Sequence, residues 1–266
     1  MRHKILLIIE MTEKIKPKKS LGQNFLVNEY TINTISEIIN LSERDLVLEV
    51  GPGQGALTKN IIGKTKHYIG IEKDKKLCEF LEKKYKNIKI KNEDILKTDF
   101  NKIYKDKYKI IGNIPYNIST KILLKCIENK RNILNIYFMM QKEFVDRIIS
   151  ECNSKSYGRL TVLMQLFFRC EKFIDINPSD FSPQPKVYSS FLKLTPLKEV
   201  LLSKEEIEDF LLFTKIIFSK RRKKIRNCLD INGVDKYVNI NKRAEELSID
   251  DMIKLYREMS YDRKFV

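Results

Sequence analysis

The chain has 266 residues, of which 42% are hydrophobic and 32% charged. That apolar share can fill a real core, which excludes wholesale disorder, and the length suits one large domain or a domain of roughly 150–200 residues with a small companion. Fifty-one lysines and arginines against 35 acids leave a net charge of +16. Such an excess repels itself in a folded chain and is relieved best by a polyanion, nucleic acid first among them, although a lysine-rich surface that is merely solvated is the plain alternative.

No window approaches the roughly 18–20 apolar residues that span a bilayer, so no membrane partner is expected. The run Ile5–Ile9 is broken by Glu10 and is short for a signal-peptide core, and Met11 could equally start the chain. Residues 1–16 are therefore read as a flexible N-terminal extension. The five cysteines, Cys78, Cys126, Cys152, Cys170 and Cys228, are odd in number, far apart and without a C-x-x-C pair. This argues against disulfides and a zinc cluster and for a reducing, cytoplasmic setting. Only His3 and His67 are available as imidazoles, and His67 reads as the start of a strand. Chemistry that needs a histidine base or a histidine-built metal site is disfavoured, and no metal is expected.

Taken in order, Asp45–Val50 is a strand-like run that stops at Gly51-Pro52-Gly53-Gln54-Gly55. A helical stretch follows from about Ala56. His67–Ile71 is the next strand, then an amphipathic helix over about Asp74–Tyr85. Ile88–Lys91, Lys109–Ile111 and Ile133–Met139 read as further strands, with helices over Ser119–Asn129 and Lys142–Ser150 and Ser119 as a candidate N-cap. Alternating strands and helices imply parallel βαβ units in a doubly wound α/β sheet, whose ligands bind at the carboxyl ends of the strands. The pattern changes near Thr195–Glu199. Ser203 with Glu206, and Ser248 with Asp251, are helix-start signals, and no strong strand follows Leu194, so a small all-α domain is expected over residues 199–266 after a first domain over 17–198.

Four segments carry chemistry. In Glu49-Val50-Gly51-Pro52-Gly53-Gln54-Gly55 the spacing is G-x-G-x-G, not the G-x-G-x-x-G of nicotinamide and flavin enzymes. Glycines there let a ligand approach the backbone, and Glu72, ending the next strand, can take the two ribose hydroxyls of an adenosine-type ligand. The pair suits S-adenosylmethionine better than a dinucleotide. Asn113-Ile114-Pro115-Tyr116 follows a strand ending Ile111-Gly112. An exocyclic base amine is a poor nucleophile because its lone pair is delocalised into the ring. An Asn oxygen and a backbone carbonyl, each accepting one amino hydrogen, favour a pyramidal nitrogen able to attack a methyl sulfonium. Pro115 stiffens the turn that holds the Ile114 carbonyl, and Tyr116 offers a face for an extruded base. In Phe181-Ser182-Pro183-Gln184-Pro185-Lys186-Val187, two prolines hold an extended loop that could place Phe181 over the other face of the base and Lys186 on a phosphate; a Pro-rich connector with a core Phe is the simpler reading. Lys220-Arg221-Arg222-Lys223-Lys224 suits a phosphate backbone, or a solvated face.

These residues resemble the KsgA-type ribosomal RNA adenine dimethyltransferases, part of a wider family that includes the macrolide-resistance adenine methyltransferases. The resemblance covers nearly all of residues 17–266. It rests on Ser20-Leu21-Gly22-Gln23-Asn24-Phe25-Leu26, Leu48-Glu49-Val50-Gly51-Pro52-Gly53, Ile71-Glu72, Glu93-Asp94-Ile95-Leu96, Gly112-Asn113-Ile114-Pro115-Tyr116-Asn117 and Phe181-x-Pro183-x-Pro185-Lys186-Val187. It implies a Rossmann-like class I methyltransferase domain with a small helical C-terminal domain. Gln23, Asn24 and Leu26 would lie in a segment that closes over S-adenosylmethionine. Gly51 and Gly53, in the motif that begins at Glu49, would line its methionine end. Glu72 would bind its ribose and Asp94 its adenine amino group. Asn113, bordering the cofactor, would hold the target adenine with Ile114, Pro115 and Tyr116, and Phe181 would stack from the other side. Lys186, Arg221, Arg222 and Lys223 would meet RNA. Residues 156–165 and the Phe218-x-x-Arg221-Arg222-Lys223 region look like the small-subunit branch. Glu93 and Gln54 depart from the family's frequent Gly and Leu.

The implied reaction is transfer of two methyl groups to N6 of each of two adjacent adenosines in the 3′-terminal hairpin of small-subunit ribosomal RNA, by a monomer acting on the RNA or the immature small subunit. The rivals are a large-subunit resistance methyltransferase and, more weakly, a DNA adenine methyltransferase. A third is a non-catalytic assembly factor that has kept the fold, against which the retained Asn113–Tyr116 run counts.

Overall fold

In the computed structural model, residues 15–86, 88–229 and 239–261 are described; most of the expected N-terminal extension, residues 1–14, lies outside them. In chain order come β1 (Phe25–Leu26), α1 (Glu29–Ile39), β2 (Leu46–Val50), α2 (Thr58–Ile62), β3 (His67–Glu72), α3 (Lys75–Lys84), β4 (Lys89–Asn92), β5 (Tyr108–Asn113), α4 (Ser119–Glu128) and β6 (Ile133–Gln141). There follow α5 (Lys142–Ile148), α6 (Arg159–Phe167), β7 (Phe168–Ile176), β8 (Phe181–Ser182), β9 (Ser189–Pro196), α7 (Lys204–Ser219) and α8 (Ile249–Tyr261).

Seven strands form one sheet in the order β4-β3-β2-β5-β6-β9-β7. The first five are parallel and β9 runs antiparallel to β6. The chain steps from β2 through β3 to β4, then returns to the other side of β2 as β5. With right-handed crossovers that reversal puts the helices on opposite faces and opens a crevice at the carboxyl ends of β2 and β5. The register keeps those ends level: Val50 faces Ile71 on one side and Gly112 on the other, and Glu72 faces Asn92. Gly112 allows the close fit, since a Cβ there would stand 2.6 Å from the Val50 carbonyl oxygen.

One core packs α1 against the sheet: Ile32, Ile35 and Ile39 meet Val47, Ile111, Tyr137, Met139 and Phe191. Each such side chain contributes about 1.5–3 kcal/mol through burial. Asn28 caps α1, its side chain accepting from the Thr31 N–H at 3.1 Å. At α4 the expectation fails. Ser119 is the first helical residue and is buried, because the single turn Tyr116–Ile118 runs straight into the helix and leaves no cap position for it.

The chain packs as two compact units. The first runs to Lys142 and resumes over Lys172–Pro196; the second takes Glu143–Glu171 and the chain from Leu197. Its end at Pro196 lies beside the expected boundary, but Glu143–Glu171 belongs with the C-terminal helices instead of the first domain. Backbone bonds explain the grouping: Leu197 N–H donates to Phe167 at 2.9 Å and Asn153 N–H to Glu245 at 2.8 Å. Within the second unit the Ser203–Glu206 capping box forms as expected, at 2.8 and 3.2 Å, and Phe210 meets the ring of Tyr256 edge-on.

Candidate active site

A cavity opens at the carboxyl ends of β4, β3, β2 and β5, and its lining carries the glycine loop, both strand-end acids and the Asn113–Tyr116 turn. After β2, Gly51 and Gly53 hold φ of +63° and +60°, a region open to glycine. A Cβ on Gly51 would meet nothing within 4 Å, so that backbone faces open space, whereas one on Gly53 would press on the Phe25 ring at 3.0 Å. Glu72 is buried, accepting from Gly53 N–H at 3.1 Å and Asp74 N–H at 2.9 Å. It therefore organises the glycine loop as well as offering acceptors to a ligand. Burial lifts its carboxyl above the ordinary range, against the pull of those two N–H bonds.

Glu49 also lines the cavity. Its Oε2 accepts from the hydroxyls of Thr58 at 2.7 Å and Tyr68 at 2.6 Å. Burial raises its carboxyl to about 7, overcoming both hydrogen bonds. Asp94, after β4, accepts from Leu96 N–H at 3.0 Å and pairs with Lys73 Nζ at 2.9 Å, and that ammonium holds its carboxyl below the usual range. Lys73 is exposed, so the pair is weak and can open to a ligand amine.

At the end of β5, the Asn113 side-chain amino group donates to the Asn24 carbonyl at 2.8 Å. That bond uses one amino hydrogen and fixes the amide plane, leaving Oδ1 as the acceptor that the side chain can present to a ligand, beside one remaining N–H. Ile114 N–H bonds the Met139 carbonyl at 3.0 Å, and Ile118 N–H the Pro115 carbonyl at 3.1 Å, which fixes the turn. The Tyr116 hydroxyl meets Ser189 Oγ at 2.8 Å, so the half-buried ring is held at both ends.

The segment that ends in β1 lies along the same cavity, from Ser20 to Leu26. Gln54 Nε2 holds the Ile15 carbonyl at 3.2 Å. Lys18 Nζ and Gln23 Nε2 both reach the buried Asp74, at 2.8 and 3.5 Å. Behind them β1 pairs antiparallel with β8, Leu26 opposite Phe181.

A sequence model of the family described as "Ribosomal RNA adenine dimethylase" matches residues 14–261. The chain belongs to that family. It is 40% identical over 266 aligned residues, 94% of this chain and 100% of the relative, to "Ribosomal RNA small subunit methyltransferase A" of Francisella tularensis subsp. novicida strain U112. A dimethyladenosine transferase from Plasmodium falciparum superposes with a TM-score of 0.78 at 26% identity, covering 90% of this chain and 98% of that one. The 23S rRNA methyltransferase ErmE follows at 0.68 and 26%, covering 89% and 100%. The fold is thus that of the class I S-adenosylmethionine-dependent methyltransferases, and this adenine dimethylase is an enzyme of that class.

The residues present fit that cofactor: a glycine cradle open at Gly51, carboxylates at two neighbouring strand ends, and apolar Ile71 and Ile95 in the same lining. Gln23, Asn24, Leu26, Glu49, Gly51, Gly53, Glu72, Asp94 and Asn113–Tyr116 all come together in this cavity. Phe181 does not. Its ring is 4% exposed and packs in the α1 core opposite Leu26, so in this conformation it is offered to no base. Lys186 is exposed, as are Arg222 and Lys223. Arg221 instead spends its guanidinium inside the second unit, on Glu245 at 2.5 Å and on the Lys155 carbonyl. Sequence reasoning missed Asp74, Lys18 and Ser189. Asp74 had a signal, as the cap of α3 two residues beyond Glu72, but its burial and its partners from the N-terminal segment are tertiary facts.

Proposed function

We propose that this chain dimethylates N6 of two adjacent adenosines in the 3′-terminal hairpin of small-subunit ribosomal RNA, acting in the cytoplasm as a monomer on the immature small subunit. The observation that carries the reading is that the Asn113 turn lines the same cavity as the glycine loop, Glu72 and Asp94, with the Asn113 amide already oriented by Asn24. The higher identity to a small-subunit enzyme than to ErmE favours this substrate over the large subunit.

S-adenosylmethionine supplies, when bound, a methyl group on a positively charged sulfur. Glu72 would accept from its ribose hydroxyls and Asp94 from its adenine amine. Asn113 Oδ1 and the Ile114 carbonyl each accept one hydrogen of the target amine, drawing its nitrogen toward a pyramidal shape and freeing the lone pair. Tyr116, braced by Ser189, provides the stacking face, worth roughly 1–3 kcal/mol per base. No base need take the proton before attack, because the amine becomes acidic once methylated and loses it to water. The monomethyl amine keeps one hydrogen for the same acceptors, so one turn serves both transfers.

The test is methylation of small subunits that lack the modification, beside naked RNA and large subunits, with modified positions mapped by mass spectrometry. Dimethyladenosine at two neighbouring positions of the small-subunit hairpin is expected. Modification confined to large-subunit RNA would move the substrate to the rival branch, and no transfer with intact cofactor binding would favour a non-catalytic assembly factor.

A further inference from the structure

Three anchors hold the segment Ile15–Leu26. At its rear, β1 pairs with β8, and Val27 N–H donates to the Asp180 carbonyl at 2.8 Å. At its start, Gln54 holds Ile15. In the middle, Lys18 and Gln23 converge on Asp74, while Lys18 N–H itself donates to Gln23 Oε1 at 2.7 Å. The next carbonyl after Gln23 is that of Asn24, the acceptor that orients Asn113. Asp74 is in turn bonded through its N–H to Glu72. A continuous chain of polar contacts therefore runs from the strand-end acid of the cofactor site to the amide that faces the target amine.

The middle anchor is electrostatically demanding. The Asp74 side chain has no exposed surface, whereas that of Lys18 is 46% exposed. Without the Lys18 ammonium the enclosed carboxylate keeps neutral donors, the Gln23 amide and the Lys76 N–H, and opening the segment to water relieves the missing charge. Lys18 is thus the group that lets this segment lie down.

We propose that Lys18 and Asp74 form a latch that positions the catalytic amide: docking of the N-terminal segment through this pair sets the Asn24 carbonyl, which turns Asn113 oxygen-first toward the substrate nitrogen. Neither residue touches a reacting atom, so both are positioning residues. The second methyl transfer depends on the latch most, because the monomethyl amine has a single hydrogen with which to find a misdirected acceptor. The inference rests on the dimethylase reading above.

The experiment is single-turnover methylation of unmodified small subunits by the full chain, each variant saturated with cofactor according to its own Kd, with mono- and dimethyladenosine counted separately. Lys18→Met is expected to slow transfer roughly tenfold and to leave monomethyladenosine as the main product. Lys18→Arg, which restores a cation, should return to within about twofold of wild type. Asp74→Asn keeps a capping oxygen for α3, and combining it with Lys18→Met should cost no more than Lys18→Met alone, as expected of one shared interaction. Independent, multiplying losses would overturn the latch, as would a Lys18→Met enzyme with the wild-type rate and product ratio. A wild-type chain inert on these subunits would instead overturn the reading of function, and the latch with it.

Discussion

Replacing Glu49 with Gln should remove a pH dependence from the stability of the first unit. The carboxyl is enclosed under Thr58 and Tyr68 and titrates at about 7, against 4.5 for an unperturbed glutamate. Between those two values the folded chain keeps a proton that the unfolded chain has released. Stability is therefore fully present below pH 4.5, falls as pH rises through this window, and levels off above about 7. The full difference is about 3 kcal/mol, at 1.36 kcal/mol per pKa unit. In Glu49→Gln the amide oxygen still accepts the two hydroxyls but nothing titrates, so the variant should gain on wild type from pH 5 to about 7 and the difference should then level off towards pH 8. Hydrogen exchange of peptides from β2 and β3, followed through a urea series at each pH, reads this unit without interference from the helical one. Burial also lifts Glu72, a group common to both proteins, so only its repulsion with Glu49 enters the difference. Parallel curves for the two proteins from pH 5 to 8 would mean that Glu49 is ionised throughout, and the burial argument would be wrong.

Four further perturbations, two in the cavity and two in the basic run, have defined outcomes. Asn113→Ala should lower the transfer rate by about 100-fold or more while cofactor affinity, measured by calorimetry, changes by no more than about threefold; normal turnover would remove Asn113 from the mechanism. Glu72→Ala should weaken the cofactor first, by roughly tenfold to a hundredfold, since charge-assisted hydrogen bonds contribute about 1.5–3 kcal/mol each; an unchanged Kd would remove the ribose role. Neutralising the exposed Arg222 and Lys223 should flatten the salt dependence of RNA binding by roughly 0.7–0.9 in log–log slope per phosphate contact. Arg221→Ala should instead lower the melting temperature of the second unit with little change in that slope, and the reverse pattern would reassign the two groups.

Much of the site was legible because a strand and the loop at its carboxyl end are read together. Val50-Gly51, Ile71-Glu72 and Gly112-Asn113 each join a β-branched or apolar run to an abrupt polar or glycine residue, and parallel pairing then places those junctions side by side. The helix α1 was not read, although Asn28 is a sound cap. Its face of Ile32, Ile35 and Ile39 is set in a run of Ile and Thr, residues that local preference assigns as readily to a strand. Strand β7 was missed for the opposite reason: its burial pattern is mostly intermediate or exposed, which leaves little apolar alternation to detect.

The aromatic residues show where sequence stops. Tyr116 and Phe181 each stood in a proline-containing motif and each was read as a face for the same base. Their fates diverge on what lies beneath them. Tyr116 follows the end of β5, over the cavity, where a hydroxyl from β9 braces its ring. Phe181 heads a two-residue strand whose partner is Leu26, and pairing with β1 brings it into the α1 core. Moving that ring out to a base would expose a large apolar surface and unpair β1, the rear anchor of the segment that carries the Asn24 carbonyl. A Phe181→Leu chain, which keeps the core filled, therefore separates the two roles: retained transfer assigns Phe181 to the fold that holds the N-terminal segment, and loss of transfer with unchanged stability and cofactor binding assigns it to the base.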